Sequence, residues 1–280
     1  MSASADDPRA PSRLLHLPET DSTNAEAMRR ALAGETAPFW VVADRQTSGR
    51  GRAGRAWASE PGNLFASLLV STACPPALAG QLSLVAGVAA IDAIRKAAEQ
   101  APPVGLRLKW PNDILIGAAK TGGILIESTT PKSGAERLAV IGIGLNLVSA
   151  PAALGRAATY LSAHGLSLSP LRALCFLAEA MDDWLKTWND ARGFAEVREA
   201  WLKRAGPIGE PLTVRASGGL ASGRFAGLDE EGALVIAGPD GTERRFTYGD
   251  VMLGTEQKKD EGRCSTSGPV WAGAGTSSCS

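Results

Sequence analysis

Two apolar runs, Phe39 to Ala43 and Leu64 to Val70, enclose the segment Gln46-Thr47-Ser48-Gly49-Arg50-Gly51-Arg52-Ala53-Gly54-Arg55-Ala56-Trp57. Short apolar runs bounded by turn residues predict buried strands, so this segment is a loop pinned at both ends to a sheet. Glycines at 49, 51 and 54 let its backbone take unusual φ angles and approach a ligand closely. Arg50, Arg52 and Arg55 present forked donors that match phosphate and carboxylate oxygens. The combination predicts an anion-binding loop. Taken alone, an Arg-Gly run suits a small anion and a nucleic acid equally well, and its position between two strands favours an ordered site. Lys plus Arg and Asp plus Glu number 29 each among the 280 residues. No global charge therefore favours a polyanionic partner, and local clusters must carry that argument.

Three more segments carry chemistry. Lys109-Trp110-Pro111-Asn112-Asp113 places a cation, an aromatic ring, an amide and a carboxylate in a tight turn between predicted strands, although Pro-Asn-Asp by itself is ordinary surface-turn chemistry. Gly117-Ala118-Ala119-Lys120-Thr121-Gly122-Gly123 imitates part of a phosphate-binding P-loop. The full spacing is absent and a strand follows where a helix is required, which excludes a nucleotide hydrolase of that type and leaves Lys120, on its own, an ordinary solvated charge. Gly142-Ile143-Gly144-Leu145-Asn146-Leu147 is a strand with glycines at alternate positions. Such a pattern marks either the close approach of a ligand or a bulge with tight strand packing.

The rest of the chain supplies a frame. Asp21-Ser22-Thr23-Asn24 leads into Ala25 to Ala33 and stops at Gly34, with Thr23 and Glu26 spaced as a capping box. A helix start there puts polar side chains beside unpaired backbone N–H groups that can receive ligand acceptors. Ala79 to Gln100 carries Leu84, Val88 and Ile91 at helical spacing. Leu106 to Lys109, Ile114 to Ile116, Ile124 to Ile126 and Leu138 to Leu147 predict strands, antiparallel where the links are short. Leu171 to Trp188 and Phe194 to Arg204 predict amphipathic helices. From Gly206 the texture changes to short strands, Leu212 to Val214, Arg224 to Leu228, Leu234 to Ile236 and Arg244 to Tyr248, a small barrel that must lean on the larger unit. The predicted division is a disordered lead at 1–12, a large domain at 13–205, a small one at 206–253 and a disordered tail at 254–280.

Cys74, Cys175, Cys264 and Cys279 are far apart, and His16 and His164 are the only histidines. That argues against a zinc site, a disulfide framework and a serine or cysteine nucleophile with a histidine base. The longest nearly apolar run, Leu82 to Ile91, is short of a bilayer span, and the N-terminus lacks the basic start and apolar middle of a secretory signal. A cytoplasmic protein without a membrane partner is expected.

In this order, the Asp21–Asn24 helix start, the Gly-Arg-Gly-Arg-x-Gly-Arg-x-Trp loop, Lys-Trp-Pro-Asn-Asp, the lysine before Gly-Gly-Ile-Leu and the Gly142–Leu147 strand resemble the biotin protein ligases, or holocarboxylase synthetases, over roughly residues 21 to 253. The resemblance implies an α+β fold: a mixed, largely antiparallel sheet with flanking helices, a class II synthetase-like catalytic domain, then a C-terminal SH3-like β-barrel. It implies activation of biotin with ATP to biotinyl-AMP, Mg2+ arriving with the nucleotide, and transfer to one lysine of a biotin carboxyl carrier domain of acetyl-CoA carboxylase or a related carboxylase. Ser22, Thr23, Asn24, Gln46, Arg50, Gly51, Arg52 and Lys120 are expected to hold biotin. Gly49, Arg50, Arg52, Arg55, Trp57, Asn112, Asp113, Lys120 and Asn146 are expected to hold ATP, with Trp57 and Trp110 at the adenine side or bracing the loop. Lys120, Arg52 and Asp113 are the expected catalytic residues, Asp113 orienting or accepting the proton of the carrier lysine. Some relatives carry an N-terminal DNA-binding domain, and with about twenty residues before Asp21 no DNA partner is expected. A monomer or homodimer is expected. Lipoate protein ligase is the near alternative and a non-catalytic RNA-binding protein the distant one.

Overall fold

The computed structural model describes residues 9–99, 101–129, 137–151, 157–216 and 218–254. Apart from residues 9–12, which form no helix or strand, and residue 254, the expected disordered lead and tail lie outside the described residues. Seven strands form the main sheet: β1 (Leu14–Thr20), β2 (Phe39–Gln46), β3 (Leu64–Thr72), β4 (Leu106–Lys109), β5 (Asp113–Ile116), β6 (Ala119–Thr129) and β7 (Arg137–Leu145). Their spatial order is β1-β2-β3-β7-β6-β5-β4. Only β1 and β2 run parallel, and every other neighbouring pair is antiparallel. The expected mixed, largely antiparallel sheet with flanking helices is what forms. β1 has no counterpart in the sequence reading, because Pro18 interrupts the run and cannot donate to a ladder, which suits an edge strand.

Side chains alternate across a strand, and here the two faces have different tasks. Leu64, Ala66, Leu68 and Val70 of β3, with Ile141, Ile143 and Leu145 of β7, join the main core. That core lies under α2 (Gln81–Ala97), α3 (Pro170–Trp188) and α4 (Phe194–Leu202). Pro76–Ala97 is long and apolar enough to cross a membrane, but two thirds of its apolar window is buried inside the fold, as expected of a core helix. Gly87 lets it come close to β4, since a Cβ there would sit 3.2 Å from Leu108. Arg204, just past α4, grips the Asp92 carboxylate of α2 at 2.7 to 2.9 Å.

The opposite face is mostly open. Among the described helices, α1 (Thr23–Leu32) covers one end of it, through a small cluster of Ala27, Ala31, Phe39, Val41, Leu69 and Val140. The capping box is not formed. Ser22 is the N-cap without a side-chain bond, the Thr23 hydroxyl turns to Gln46, and Glu26 pairs with Arg29 and Arg30. A tertiary partner has displaced the local one.

The C-terminal unit is an antiparallel sheet of β8 (Pro211–Ala216), β9 (Gly219–Leu228), β10 (Leu234–Ala237), β11 (Glu243–Phe246) and β12 (Asp250–Leu253), in the order β11-β10-β9-β8-β12. Leu212, Val214, Phe225, Leu234, Ile236 and Val251 belong to the same core as the main sheet, so the small unit does lean on the large one. Trp110 Nε1 donates to the Gly232 carbonyl at 3.1 Å, and Lys109 Nζ to that of Val251 at 3.1 Å. Trp110, Lys109 and Asp113 are all buried; the turn expected to be ordinary surface is the joint between the two sheets.

Candidate functional site

The open face holds a cavity of about 710 Å³. Its floor follows from strand periodicity: Phe65 and Ser67 of β3, Gly142 and Gly144 of β7, and Gly123 and Leu125 of β6 point the same way, with Ser67 opposite Gly142 and Gly123 opposite Gly144. The glycines make room for site side chains. A Cβ on Gly142 would collide with the Asn24 carboxamide, and one on Gly144 would lie 2.6 Å from the Trp57 ring. Close side-chain approach, rather than a bulge, accounts for the alternating glycines.

At the α1 end the polar groups satisfy one another. The backbone N–H and hydroxyl of Thr23 donate to Gln46 Oε1 at 2.9 and 3.2 Å, and Gln46 Nε2 donates to Ser59 Oγ at 3.1 Å. Ser67 Oγ, fully buried on β3, lies 2.8 Å from Thr23 Oγ1 and 2.6 Å from Asn24 Oδ1. Asn24 Nδ2 donates to Glu127 Oε2 at 2.8 Å. Ser67, Ser59 and Glu127 are absent from the sequence-derived set. A serine inside the apolar run of β3, and a glutamate in step with Gly123 and Leu125, are the signals that could have found the first and last.

The Gly-Arg loop folds as a short hairpin over the other end. Arg50 and Ala56 form an isolated bridge, Gly51 N–H donates to the Arg55 carbonyl at 2.7 Å, and Ala53 and Gly54 take positive φ at the tip. Each arginine meets an acceptor: Arg50 the Glu127 carboxylate at 3.1 Å, Arg52 the Asn112 amide oxygen at 3.3 Å and the Gly249 carbonyl at 3.1 Å, and Arg55 the Asp250 carboxylate. Burial pulls the Arg52 guanidinium below its ordinary pKa, opposed by the charges of Asp250 and Asp113.

Lys120 stands between the two ends, and a β-bulge puts it there. β5 pairs Ile114 with Gly122 but Leu115 with Lys120, so Thr121 is skipped. A skipped residue turns the following side chains to the other face, which brings Lys120 to the side of Asp113 and Gly123. The surplus backbone is satisfied elsewhere: Lys120 N–H donates to Ala157, Thr159 N–H to Lys120, and Asn146 N–H to Thr121. Lys120 Nζ contacts the Asp113 carboxylate, whose other oxygen is 3.4 Å from Lys109 Nζ, and lies 5.3 Å from the centre of a Trp57 ring. Lys120 is thus a part-buried, paired cation and not the solvated charge its local sequence suggested. Trp57 Nε1 is buried over Gly144 with no hydrogen-bond partner, and an unmet buried N–H costs about 1–3 kcal/mol.

Of the expected site residues, the structure places Ser22, Thr23, Asn24, Gln46, Arg50, Gly51, Arg52, Arg55, Trp57, Asn112, Asp113 and Lys120 around this one cavity. Gly49 and Asn146 do not line it. Gly49 is packed beneath the Trp57 carbonyl, and Asn146 is buried behind the bulge, its Nδ2 donating to the Thr159 carbonyl at 3.0 Å. Both support the site from behind.

The profile of the Biotin/lipoate A/B protein ligase family matches residues 17–146, and that of the Biotin protein ligase C terminal domain matches residues 208–254. The chain is 40% identical over 233 residues to a biotin--[acetyl-CoA-carboxylase] ligase of Paracoccus denitrificans, covering 81% of this chain and 95% of the relative. It is 34% identical to a bifunctional ligase/repressor of Bacillus subtilis, covering 80% of this chain and 69% of the relative. Among solved structures, the biotin protein ligase of Aquifex aeolicus in complex with biotin and ATP superposes with a TM-score of 0.71 at 26% identity, over 86% of this chain and 99% of that one. The Leishmania major enzyme in complex with biotinyl-5-AMP gives 0.59 at 28% identity, over 84% and 99%.

Proposed function

The chain belongs to the biotin/lipoate A/B protein ligase family and is a biotin ligase acting on the carrier protein of a carboxylase, and from that premise we propose which of its residues perform each part of the work. Biotin lies along the glycine floor with its ring system at Ser22, Thr23, Asn24 and Gln46 and its carboxylate toward Lys120. The neutral, mutually bonded groups at the α1 end suit an uncharged ring rich in N–H and C=O. ATP is the second substrate, with its α-phosphate at Lys120 and Arg52. The arrangement that carries this assignment is the bulge, which sets one part-buried ammonium between a neutral polar nest and a cationic hairpin.

The carboxylate of biotin is a weak nucleophile and must approach a phosphorus surrounded by negative oxygens. Lys120 and Arg52 lower that barrier by offsetting charge in a water-poor site, and the pocket aligns the two reactants. Among the described residues no group of three or more His, Cys, Asp or Glu could hold a metal ion. Mg2+ that enters on a triphosphate needs only one or two protein carboxylates, which Asp113 can supply, and when bound it neutralises phosphate oxygens. In the empty protein Asp113 faces two lysine ammonium groups. An anion drawing Lys120 away frees one Asp113 oxygen to orient the carrier lysine and take its proton. The Arg50–Arg55 hairpin covers the mixed anhydride against water and stray amines.

The acceptor is a lysine on a biotin carboxyl carrier domain of acetyl-CoA carboxylase or a related enzyme, the protein works in the cytoplasm as a monomer or homodimer, and neither DNA nor a membrane has a part in the reaction. The decisive experiment incubates the purified protein with Mg2+, ATP, labelled biotin and a carrier domain. Label on one carrier lysine, preceded by isolable biotinyl-AMP, is the expected result. Pyrophosphate exchange driven by lipoate and not by biotin would overturn it.

A further inference from the structure

We infer that Arg215, on β8 of the small C-terminal sheet, is a pyrophosphate-binding residue that completes the ATP site from outside the main sheet. This rests on the function proposed above and adds a residue that no sequence motif marks.

Contacts between neighbouring side chains order the cavity along its length. Asn24 lies over Gly142 and Trp57 over Gly144, Lys120 reaches from Trp57 to Asp113, Asp113 meets Lys109, and Lys109 bonds the Val251 carbonyl. Beyond Val251 the wall belongs to the small sheet, where Arg215 stands opposite Asp250 in the β8–β12 register and lines the cavity. With the acid at the first end and its carboxylate at Lys120, the bond to the leaving pyrophosphate must point away from biotin, because attack and departure at phosphorus are roughly in line. That direction leads to the small sheet.

The charge there suits a polyanion and not a base or a ribose. Arg52, Arg55 and Arg215 converge on a wall whose carboxylate, Asp250, is taken by Arg55. Arg52 holds only neutral oxygens, and Arg215 is exposed and forms no ion pair among the described residues. A phosphate in this position gains forked donors at little desolvation cost from an already exposed guanidinium.

The test compares wild type with Arg215→Gln and Arg215→Lys. Titration calorimetry with inorganic pyrophosphate on the otherwise empty protein should show the dissociation constant rising about tenfold in R215Q, the loss of roughly one charged hydrogen bond, and largely recovering in R215K. The KM for ATP should rise in step. The KM for biotin, and the rate of transfer from supplied biotinyl-AMP to a carrier domain, should stay within about twofold. Equal pyrophosphate affinity in wild type and R215Q would overturn the assignment while leaving the ligase function standing. So would a defect confined to the transfer step, which would make Arg215 a carrier contact. Arg215-dependent pyrophosphate binding in a protein that forms no biotinyl-AMP would keep the site and overturn the function.

Discussion

The two ends of the cavity are built on opposite principles. At the α1 end, Thr23, Asn24, Gln46, Ser59 and Ser67 are neutral, mostly buried, and bonded to one another across α1, β2 and β3. At the hairpin end, Arg50, Arg52 and Arg55 are cations on a loop, bonded to acceptors contributed by β6, the β4–β5 turn and the small sheet. The first end is preorganised: its donors and acceptors are fixed by packing before a ligand arrives, which keeps the entropy cost of binding low. The second is held by contacts that an incoming anion competes for directly. Glu127 and Asp250 are the counter-ions of Arg50 and Arg55, and under the proposed assignment a phosphate would take their place.

Four substitutions probe that contrast. Lys120→Ala removes the cation between the two ends and should cut adenylate formation by about 10²–10³-fold, read as pyrophosphate release, while biotin binding changes far less; a wild-type rate would refute the assignment. Gly142→Val strikes the rigid end. The new side chain must displace Asn24, so biotin affinity should fall about 10–100-fold, with a loss of about 1–3 kcal/mol in urea unfolding from overpacking. If biotin binds normally, that end is not preorganised. Arg52→Gly strikes the yielding end and should speed loss of biotinyl-AMP about tenfold, giving untargeted lysine labelling, with fold stability within about 0.5 kcal/mol. Unchanged release of the intermediate would show that the hairpin is no barrier.

The smallest effect is expected at Asp21, ahead of α1. Its carboxylate accepts two guanidinium bonds from Arg29 and the Ser22 N–H, and the Arg29 bonds hold it below the ordinary carboxylate pKa. A carboxyl depressed in the folded state stabilises above its unfolded pKa and ceases to do so as pH falls through the folded value. Asp21→Asn should therefore cost about 0.5 kcal/mol at pH 7, discounted for exposure. The gap from wild type should shrink progressively below about pH 4; a pH-independent gap in unfolding experiments would show that the charge is irrelevant.

The sequence made the elements legible where period and turn chemistry agreed, as in α2, α3, β3 and β7. It also marked both walls of the cavity, since the Gly-Arg loop and Lys109–Asp113 combine residue types that serve little purpose in a plain turn. What it hid are pairings over distance. Glu127 is 77 residues from Arg50 and 103 from Asn24, and nothing local to any of them announces the others. β12 is four residues long and pairs only with β8, so its hydrophobic pattern is too brief to stand out. Asn146 shows the opposite error: an amide at the end of a site strand looks like a ligand contact, yet the backbone around the bulge claims it.

That skipped residue makes strand register a chemical variable. If Thr121 instead stood opposite Leu115, β5 and β6 would pair without interruption and every backbone bond of the ladder could form. The ammonium of Lys120 would nevertheless swing through the sheet to the side packed by helices, leaving a well-folded protein with no charge where bond-making occurs. Loss of activity without loss of fold is thus written into a single amino acid whose own side chain needs to do nothing at all.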